Sequence, residues 1–285
     1  MILSLEVIFE VSELRRIVEG WKSEGNTVAF VPTMGALHEG HLALARQAKS
    51  ENVKVVVSVF VNPLQFGPSE DFARYPRTLK DDIEKLKTVG TDAVFAPSAA
   101  EMYPADFQTS IHNKGMATVL CGKVRPTHFD GMLTVVAKLL NIVNPHYALF
   151  GNKDYQQWRI VERMVRDLGM PFEIRGCDTV RESDGLAMSS RNRFLAEEER
   201  VQAALIYEGL TAAKKAWEKG QRSLEVLLTA FSQIIARCPK MTVQYAQIVD
   251  RYTLLPPAGA APDNGLVMIV AILFGDVRLI DNLEF

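Results

Sequence analysis

Two histidines, His38 and His41, stand beside Gly35 and Gly40 in the segment Pro32-Thr33-Met34-Gly35-Ala36-Leu37-His38-Glu39-Gly40-His41. The apolar run Thr27 to Val31 before it is short, β-branched and closed by Pro32, so a buried strand is expected there, and His41 to Glu51 is made of good helix formers. A strand, a glycine-bearing loop and a helix in that order present free backbone N–H groups and a positive dipole end, which suits an anion such as phosphate. Ordinary loop chemistry explains the glycines equally well at this point. A zinc site is disfavoured, because the spacing His-Glu-x-His differs from the His-Glu-x-x-His that places both rings on one helix face.

Further along, Phe60-Val61-Asn62-Pro63-Leu64-Gln65-Phe66-Gly67 offers the Gln65 amide next to apolar Leu64 and Phe66, a mixture that suits a small, branched, oxygenated substrate. Asp81 and Asp82 open a helix. Acidic residues favour a first helical turn, and a weak Mg²⁺ site is the alternative reading. In Gly151-Asn152-Lys153-Asp154-Tyr155-Gln156-Gln157, Lys153 follows an expected strand, where its ammonium can neutralise phosphate charge. Asp184-Gly185-Leu186-Ala187-Met188-Ser189-Ser190-Arg191-Asn192-Arg193 brings two hydroxyls and an arginine fork together, groups that grip a phosphate tail or cap a helix.

The elements that must position these groups alternate. Strands are expected at Thr27 to Val31, Val53 to Val61, Asp92 to Ala96, Tyr147 to Phe150 and Phe172 to Arg175. Helices are expected at His41 to Glu51, Leu79 to Val89, Gly131 to Val143 and Gln156 to Leu168. Such alternation implies an α/β fold, a doubly wound parallel sheet whose ligands sit at the carboxyl ends of the strands. After Cys177 the pattern changes to long helical stretches, Ala196 to Lys219 and Leu224 to Arg237, then strands Thr242 to Val249, Leu266 to Ile272 and Val277 to Ile280. A smaller α+β domain is expected there, with the boundary between residues 178 and 179. Pro256 to Pro262 reads as a loop.

Composition narrows the function classes. The chain has 285 residues, 48% of them hydrophobic, and a formal net charge of -2. No basic field is present to hold nucleic acid, so small-molecule partners are favoured. The apolar amino-terminal stretch Met1 to Glu10 carries two glutamates and no basic head, and reads as ordinary structure. No run approaches the length of a membrane span. Cys121, Cys177 and Cys238 fit neither a disulfide framework nor a zinc set, which points to a reducing cytoplasm.

Taken together, Pro32 to His41, Val61-Asn62-Pro63-Leu64-Gln65-Phe66, Tyr75-Pro76-Arg77-Thr78, Arg125-Pro126-Thr127-His128-Phe129-Asp130-Gly131, Lys153-Asp154-Tyr155-Gln156-Gln157 and Gly185 to Asn192 resemble the pantothenate synthetase (pantoate-beta-alanine ligase) family, in order from about residue 27 to residue 197. The resemblance implies a Rossmann-like nucleotidyltransferase fold related to class I aminoacyl-tRNA synthetases. Their paired signatures would correspond to His38-Glu39-Gly40-His41 and Met188-Ser189-Ser190-Arg191. It implies ATP, pantoate and β-alanine as substrates, a pantoyl adenylate intermediate, Mg²⁺ and a homodimer.

Carried over by residue, the resemblance implies that Met34, Gly35, Ala36, Leu37, His38, Glu39, Gly40 and His41 surround ATP, with His41 as proton donor. Gly151, Asn152, Lys153 and Asp154 would also contact ATP, Val180 would lie near the adenine, and Met188, Ser189, Ser190 and Arg191 would grip phosphate. His38, His41, Lys153, Ser189, Ser190 and Arg191 would form the catalytic set, Gln65 and Gln157 would hold pantoate, and Asp81 and Asp82 would lie near Mg²⁺. Asn152 stands where the family pattern has Glu or Gln, and Gly122-Lys123-Val124 is an unusual spelling before Arg125; neither removes a group with a chemical role. The domain after Arg193 matches more loosely, as a lid that closes when nucleotide binds. Two rival functions are disfavoured: Gln65 and Gln157 in apolar company suit a hydroxylated carboxylic acid better than the phosphate acceptor of a nucleotidyltransferase that hands on AMP or CMP, and intact His38, His41, Lys153, Ser189, Ser190 and Arg191 argue against a silent nucleotide-binding regulator.

Overall fold

A computed structural model of the protein describes residues 5–68, 70–257, 262 and 265–285. Residues 1–4 of the amino-terminal stretch and residues 258–261 of the expected Pro256 to Pro262 loop lie outside the described residues. Strands β1 (Glu6–Ile8), β2 (Val28–Thr33), β3 (Lys54–Val59), β4 (Ala93–Phe95), β5 (Tyr147–Gly151) and β6 (Glu173–Cys177) pair in parallel in the order β1-β4-β3-β2-β5-β6. The helices are α1 (Val11–Ser23), α2 (Glu39–Ser50), α3 (Leu79–Thr88), α4 (Ala99–Met102), α5 (Cys121–Val124), α6 (His128–Val143), α7 (Tyr155–Asp167), α8 (Glu197–Gln202), α9 (Leu205–Glu218) and α10 (Leu224–Ile235).

Strand pleating sends alternate residues to opposite faces, and both faces are covered. Phe30 and Val56 pack with Leu14 of α1, Leu133 and Leu140 of α6 and Ile160 of α7. Ala29, Val31, Val55 and Val57 pack on the other side with Leu42 and Ala45 of α2 and Leu86 of α3. Each fully buried Leu, Val or Phe in these layers contributes about 1.5–3 kcal/mol. This is the expected doubly wound α/β sheet.

Antiparallel strands β7 (Met241–Asp250), β8 (Leu266–Phe274) and β9 (Val277–Glu284) form the sheet of a small carboxy-terminal domain. Met268, Val270 and Ile272 of β8 pack against Leu210 of α9 and Leu227 and Phe231 of α10. On the other face, Val267 and Ile269 meet Leu120 and Tyr155 of the first domain in an apolar seam.

Three features differ from the sequence reading. β1 and α1 precede the expected alternation; β1 is too short to show a period and exists by pairing with β4 at the sheet edge. The stretch Ala196 to Lys219 is two helices rather than one. Residues 203 and 204 turn so that Ala203 enters the core with Leu186 and Ile206, and packing overrides the helix propensity of the two alanines. The last strand continues past Ile280 to Glu284, because Asp281, Asn282 and Leu283 pair with β8.

Candidate active site

β2 has β3 on one side and β5 on the other, and the chain winds away from it in opposite directions, so the topological switch point lies between β2 and β5. Ligands of open α/β sheets bind at such a point, at the carboxyl ends of the strands. β2 ends at Thr33, just before the histidine turn, and β5 ends at Gly151, just before Lys153.

His38 caps α2: its Nδ1 accepts the Gly40 N–H (3.2 Å), and His41 Nδ1 accepts the His38 N–H (3.4 Å). A ring nitrogen that accepts a backbone proton carries none, which assigns the proton of each neutral ring to Nε2. Burial lowers His41 from 6.5 to about 4, with Lys153 adding to the effect. Burial, then His41 and Lys153, lowers His38 to about 2. The two rings lie 4.1 Å apart and act near neutral pH as uncharged N–H donors.

The turn before them is left-handed at Gly35 (φ 79°) and at Ala36 (φ 50°), a costly posture for alanine. Asp82 holds it there. Its fully buried carboxylate accepts the N–H groups of Ala36 (3.0 Å) and Leu37 (2.7 Å) and the Thr78 hydroxyl (3.1 Å), while Lys85 donates to the Leu37 carbonyl. Asp81 is exposed on the outside of α3. Of the pair expected near Mg²⁺, Asp82 is thus occupied in building the loop and Asp81 is exposed on α3. No cluster of three or more His, Cys, Asp or Glu able to hold a metal occurs among the described residues.

Across the cleft, Ser189 caps the turn Ser190–Phe194 by accepting the Arg191 N–H, and Ser190 Oγ lies 3.4 Å from the Tyr75 hydroxyl. Asp71 accepts from Arg191 Nε (3.1 Å) and Nη2 (3.0 Å), fixing the plane of the guanidinium. Lys153 stands nearly clear of partners, with the Asp154 carboxylate 4.0 Å away.

Gln65 is positioned by close packing of α6. A Cβ at Gly131 would meet the Leu64 carbonyl at 2.0 Å, and Asn62 Nδ2 donates both to Gly131 O (3.1 Å) and to Gln65 Oε1 (3.0 Å). That leaves the Gln65 Nε2 group toward Met34 and the cleft. Gln157 also faces the cleft, whereas its neighbour Gln156 turns inward to bind Met116 O, Val119 O and Cys121 N.

One cleft is thus lined by Met34, His38, Gly40, His41, Gln65, Gly151, Lys153, Asp154, Gln157, Val180, Met188, Ser189, Ser190 and Arg191, all expected from the sequence. Gly35, Ala36 and Leu37 shape its wall without lining it. Glu39 is not among the residues lining the cleft, and its exposed carboxylate pairs with Arg46. Asn152 is likewise absent from the lining, and its side-chain oxygen lies against Gly176, where a Cβ would come within 2.4 Å. Sequence reasoning gave no site role to Tyr75 or to the apolar wall of Phe60, Met132, Val135, Val136 and Leu139, nor to Asp71, which holds Arg191. The helical spacing of the α6 residues was a signal for burial, and only the fold turns that face toward a ligand.

A second cavity opens from the first. It shares Met34, Gln65, Lys153, Asp154, Gln157, Ser189 and Arg191 and adds Arg125, His128, Tyr245 and Arg278. Arg125 is neutralised by Glu70. Burial, then Arg125, lowers His128 to about 4. Arg278 donates to Gln244 Oε1 and the Tyr245 hydroxyl, so its charge has no acidic partner in these contacts.

The pantoate-beta-alanine ligase family model matches residues 6–284. The chain belongs to the pantoate-beta-alanine ligase family. Pantothenate synthetase of Thermotoga petrophila is 46% identical to this ligase over 278 residues, covering 98% of this chain and 99% of the relative. That of Caldicellulosiruptor saccharolyticus is 46% identical over 277 residues, covering 97% and 98%. Among solved structures, pantothenate synthetase of Thermus thermophilus superposes with a TM-score of 0.93 at 46% identity, covering 98% of this ligase and 99% of that chain. The pantoate-beta-alanine ligase of Francisella tularensis, solved with beta-gamma ATP and β-alanine, superposes at 0.80 with 35% identity, covering 99% and 98%.

Proposed function

We propose that the protein condenses pantoate with β-alanine at the expense of ATP, through pantoyl adenylate. The observation that carries this reading is that the histidine turn and the Ser-Ser-Arg loop line a single cleft with Lys153, Gln65 and Gln157. A pantoate carboxylate oxygen bonds to the α-phosphorus as the bond to pyrophosphate breaks. The β-alanine nitrogen then bonds to the acyl carbon, the bond to AMP breaks, and the amine releases a proton. Adenylation is needed because a free carboxylate oxygen is a poor leaving group. The beta-gamma ATP and β-alanine with which the Francisella tularensis relative was solved support ATP and β-alanine as substrates here.

The uncharged Nε2–H groups of His38 and His41 donate hydrogen bonds to phosphate oxygens, Lys153 supplies positive charge, and Arg191, its guanidinium held by Asp71, offers its remaining N–H groups. Fixed donors of this kind are worth about 3 kcal/mol each where charge develops. Gln65 and Gln157 bind the oxygens of pantoate, and Met132, Val135, Val136 and Leu139 cover its methyl groups. β-Alanine approaches through the second cavity, which meets the first at Gln65 and carries Arg278 for its carboxylate. Mg²⁺, if required, would be held by triphosphate oxygens and water, where it would offset phosphate charge; Asp82 is taken up by the loop it supports and Asp81 is exposed, so neither fits as its holder.

We place the domain boundary between residues 178 and 179, supported by the end of β6 at Cys177, and assign the second domain the role of a lid. The free, buried cysteines fit a cytoplasmic setting. The homodimer rests on family resemblance and is read by sedimentation equilibrium. The deciding experiment is mass detection of pantoyl adenylate when ATP and pantoate are supplied and β-alanine is withheld. AMP release only on adding β-alanine is expected. Transfer of AMP to a phosphate acceptor, or no pyrophosphate at all, overturns the reading.

A further inference from the structure

The last strand reaches back to the turn that carries Lys153. Asn282, 6% exposed, donates its side-chain amide to the backbone carbonyls of Asn152 (2.8 Å) and Lys153 (3.0 Å). Those carbonyls belong to the 3-10 turn Asn152–Asp154 between β5 and α7, so they lie outside the sheet ladder. The neighbours of Asn282 are fastened too. Asp281 accepts both arms of Arg181 (2.6 and 3.0 Å) and the Asn282 N–H (2.8 Å), and Glu284 accepts the Tyr155 hydroxyl (2.7 Å).

We infer that Asn282 is a positioning residue for Lys153, so that the carboxy-terminal sheet sets the place of the phosphate-neutralising ammonium as well as covering the cleft. The inference rests on the proposed role of Lys153. A lysine side chain has four torsions, and among the described residues the one carboxylate within ion-pair distance of Lys153 is that of Asp154, at 4.0 Å, with Asp281 acting on it from farther off. Its ammonium is therefore aimed by the backbone of its turn, and Asn282 grips that backbone at two successive carbonyls. Loss of the amide leaves two carbonyls without their donor and lets the turn relax. A displacement on the order of 1 Å costs about a hundredfold in rate when a charge must meet a transition state.

The test follows pyrophosphate release with ATP and pantoate, without β-alanine, in Asn282→Ala, Lys153→Ala, the double variant and Glu284→Ala. Asn282→Ala is expected to lose about a hundredfold in adenylation kcat with the KM for pantoate unchanged. The double variant should be no slower than Lys153→Ala, because a residue that acts through lysine has nothing left to position. Glu284→Ala, which removes a different tie between the same strand and α7, should keep wild-type turnover. Asn282→Gln, which retains the amide donor, should recover part of the rate, and melting temperatures identify any variant that has lost its fold.

Wild-type rates in Asn282→Ala overturn the inference. So does an equal further loss on the Lys153→Ala background, or an equal loss in Glu284→Ala. Normal turnover in Lys153→Ala alone removes the reading of Lys153 and this inference with it. A slow Lys153→Ala enzyme beside a fast Asn282→Ala enzyme removes only the inference.

Discussion

At the scale of single residues, the proposed site holds neutral imidazoles and one sparsely paired ammonium. His41 and His128 both titrate at about 4 in the folded protein against 6.5 ordinarily. Between those values the unfolded chain binds more protons than the folded one, so stability rises with pH across that window and is lost as pH falls through it. The thermal midpoint is therefore expected to drop steadily from pH 6.5 toward 4, and His128→Gln should flatten that dependence. Equal slopes in the two proteins would contradict the burial argument. Lys153→Ala should lower adenylation by about 10²–10³-fold, the cost of removing one fixed charge-stabilising donor, with the melting temperature retained. Pyrophosphate release measures it, and near-wild-type turnover would remove Lys153 from the chemistry. The residues with reactive side chains were legible in the sequence because their types and spacing are unusual. The direction each one faces was not, as adjacent Gln156 and Gln157 show: one holds a buried loop and the other lines the cleft.

At the scale of elements, the first turn of α3 is a support for the histidine turn, and the acidic pair that suggested metal binding separates into one buried strut and one solvent-facing residue. Sequence alone could not distinguish these, because carboxylates favour a helix start for either purpose. Asp82→Asn should lower stability by about 1–3 kcal/mol, the cost of impairing buried hydrogen bonds, read from urea denaturation. The Mg²⁺ concentration giving half-maximal activity should stay where it is; a large increase would return Asp82 to the metal. Asp71 does comparable work for Arg191 from the loop before α3. It carried no signal in the sequence, since an acid in a polar loop is usually solvated.

At the scale of the whole molecule, the carboxy-terminal sheet is docked on the first domain through the seam of Leu120 and Tyr155 with Val267 and Ile269. The tie from Asn282 to the Lys153 turn lies beside this seam. Movement of a lid must then carry the Lys153 turn with it or break that tie. Small-angle scattering is expected to show a smaller radius of gyration with ATP and pantoate than without, and an unchanged profile would count against closure. The shift from alternating to grouped elements near Cys177 was readable in the sequence. The docking was not, since the residues of the seam read as ordinary core.

Hydrophobic period, turn residues and the order of the motifs were enough to determine a doubly wound α/β fold, a smaller second domain and the side chains able to handle phosphate, because those signals are local. Tertiary structure alone decided which of those side chains share a cleft, that Asp82, Glu39 and Asn152 do not, and that β9 reaches the Lys153 turn. These are contacts between residues far apart in the chain, and their geometry is set by how the sheet winds at its switch point between β2 and β5.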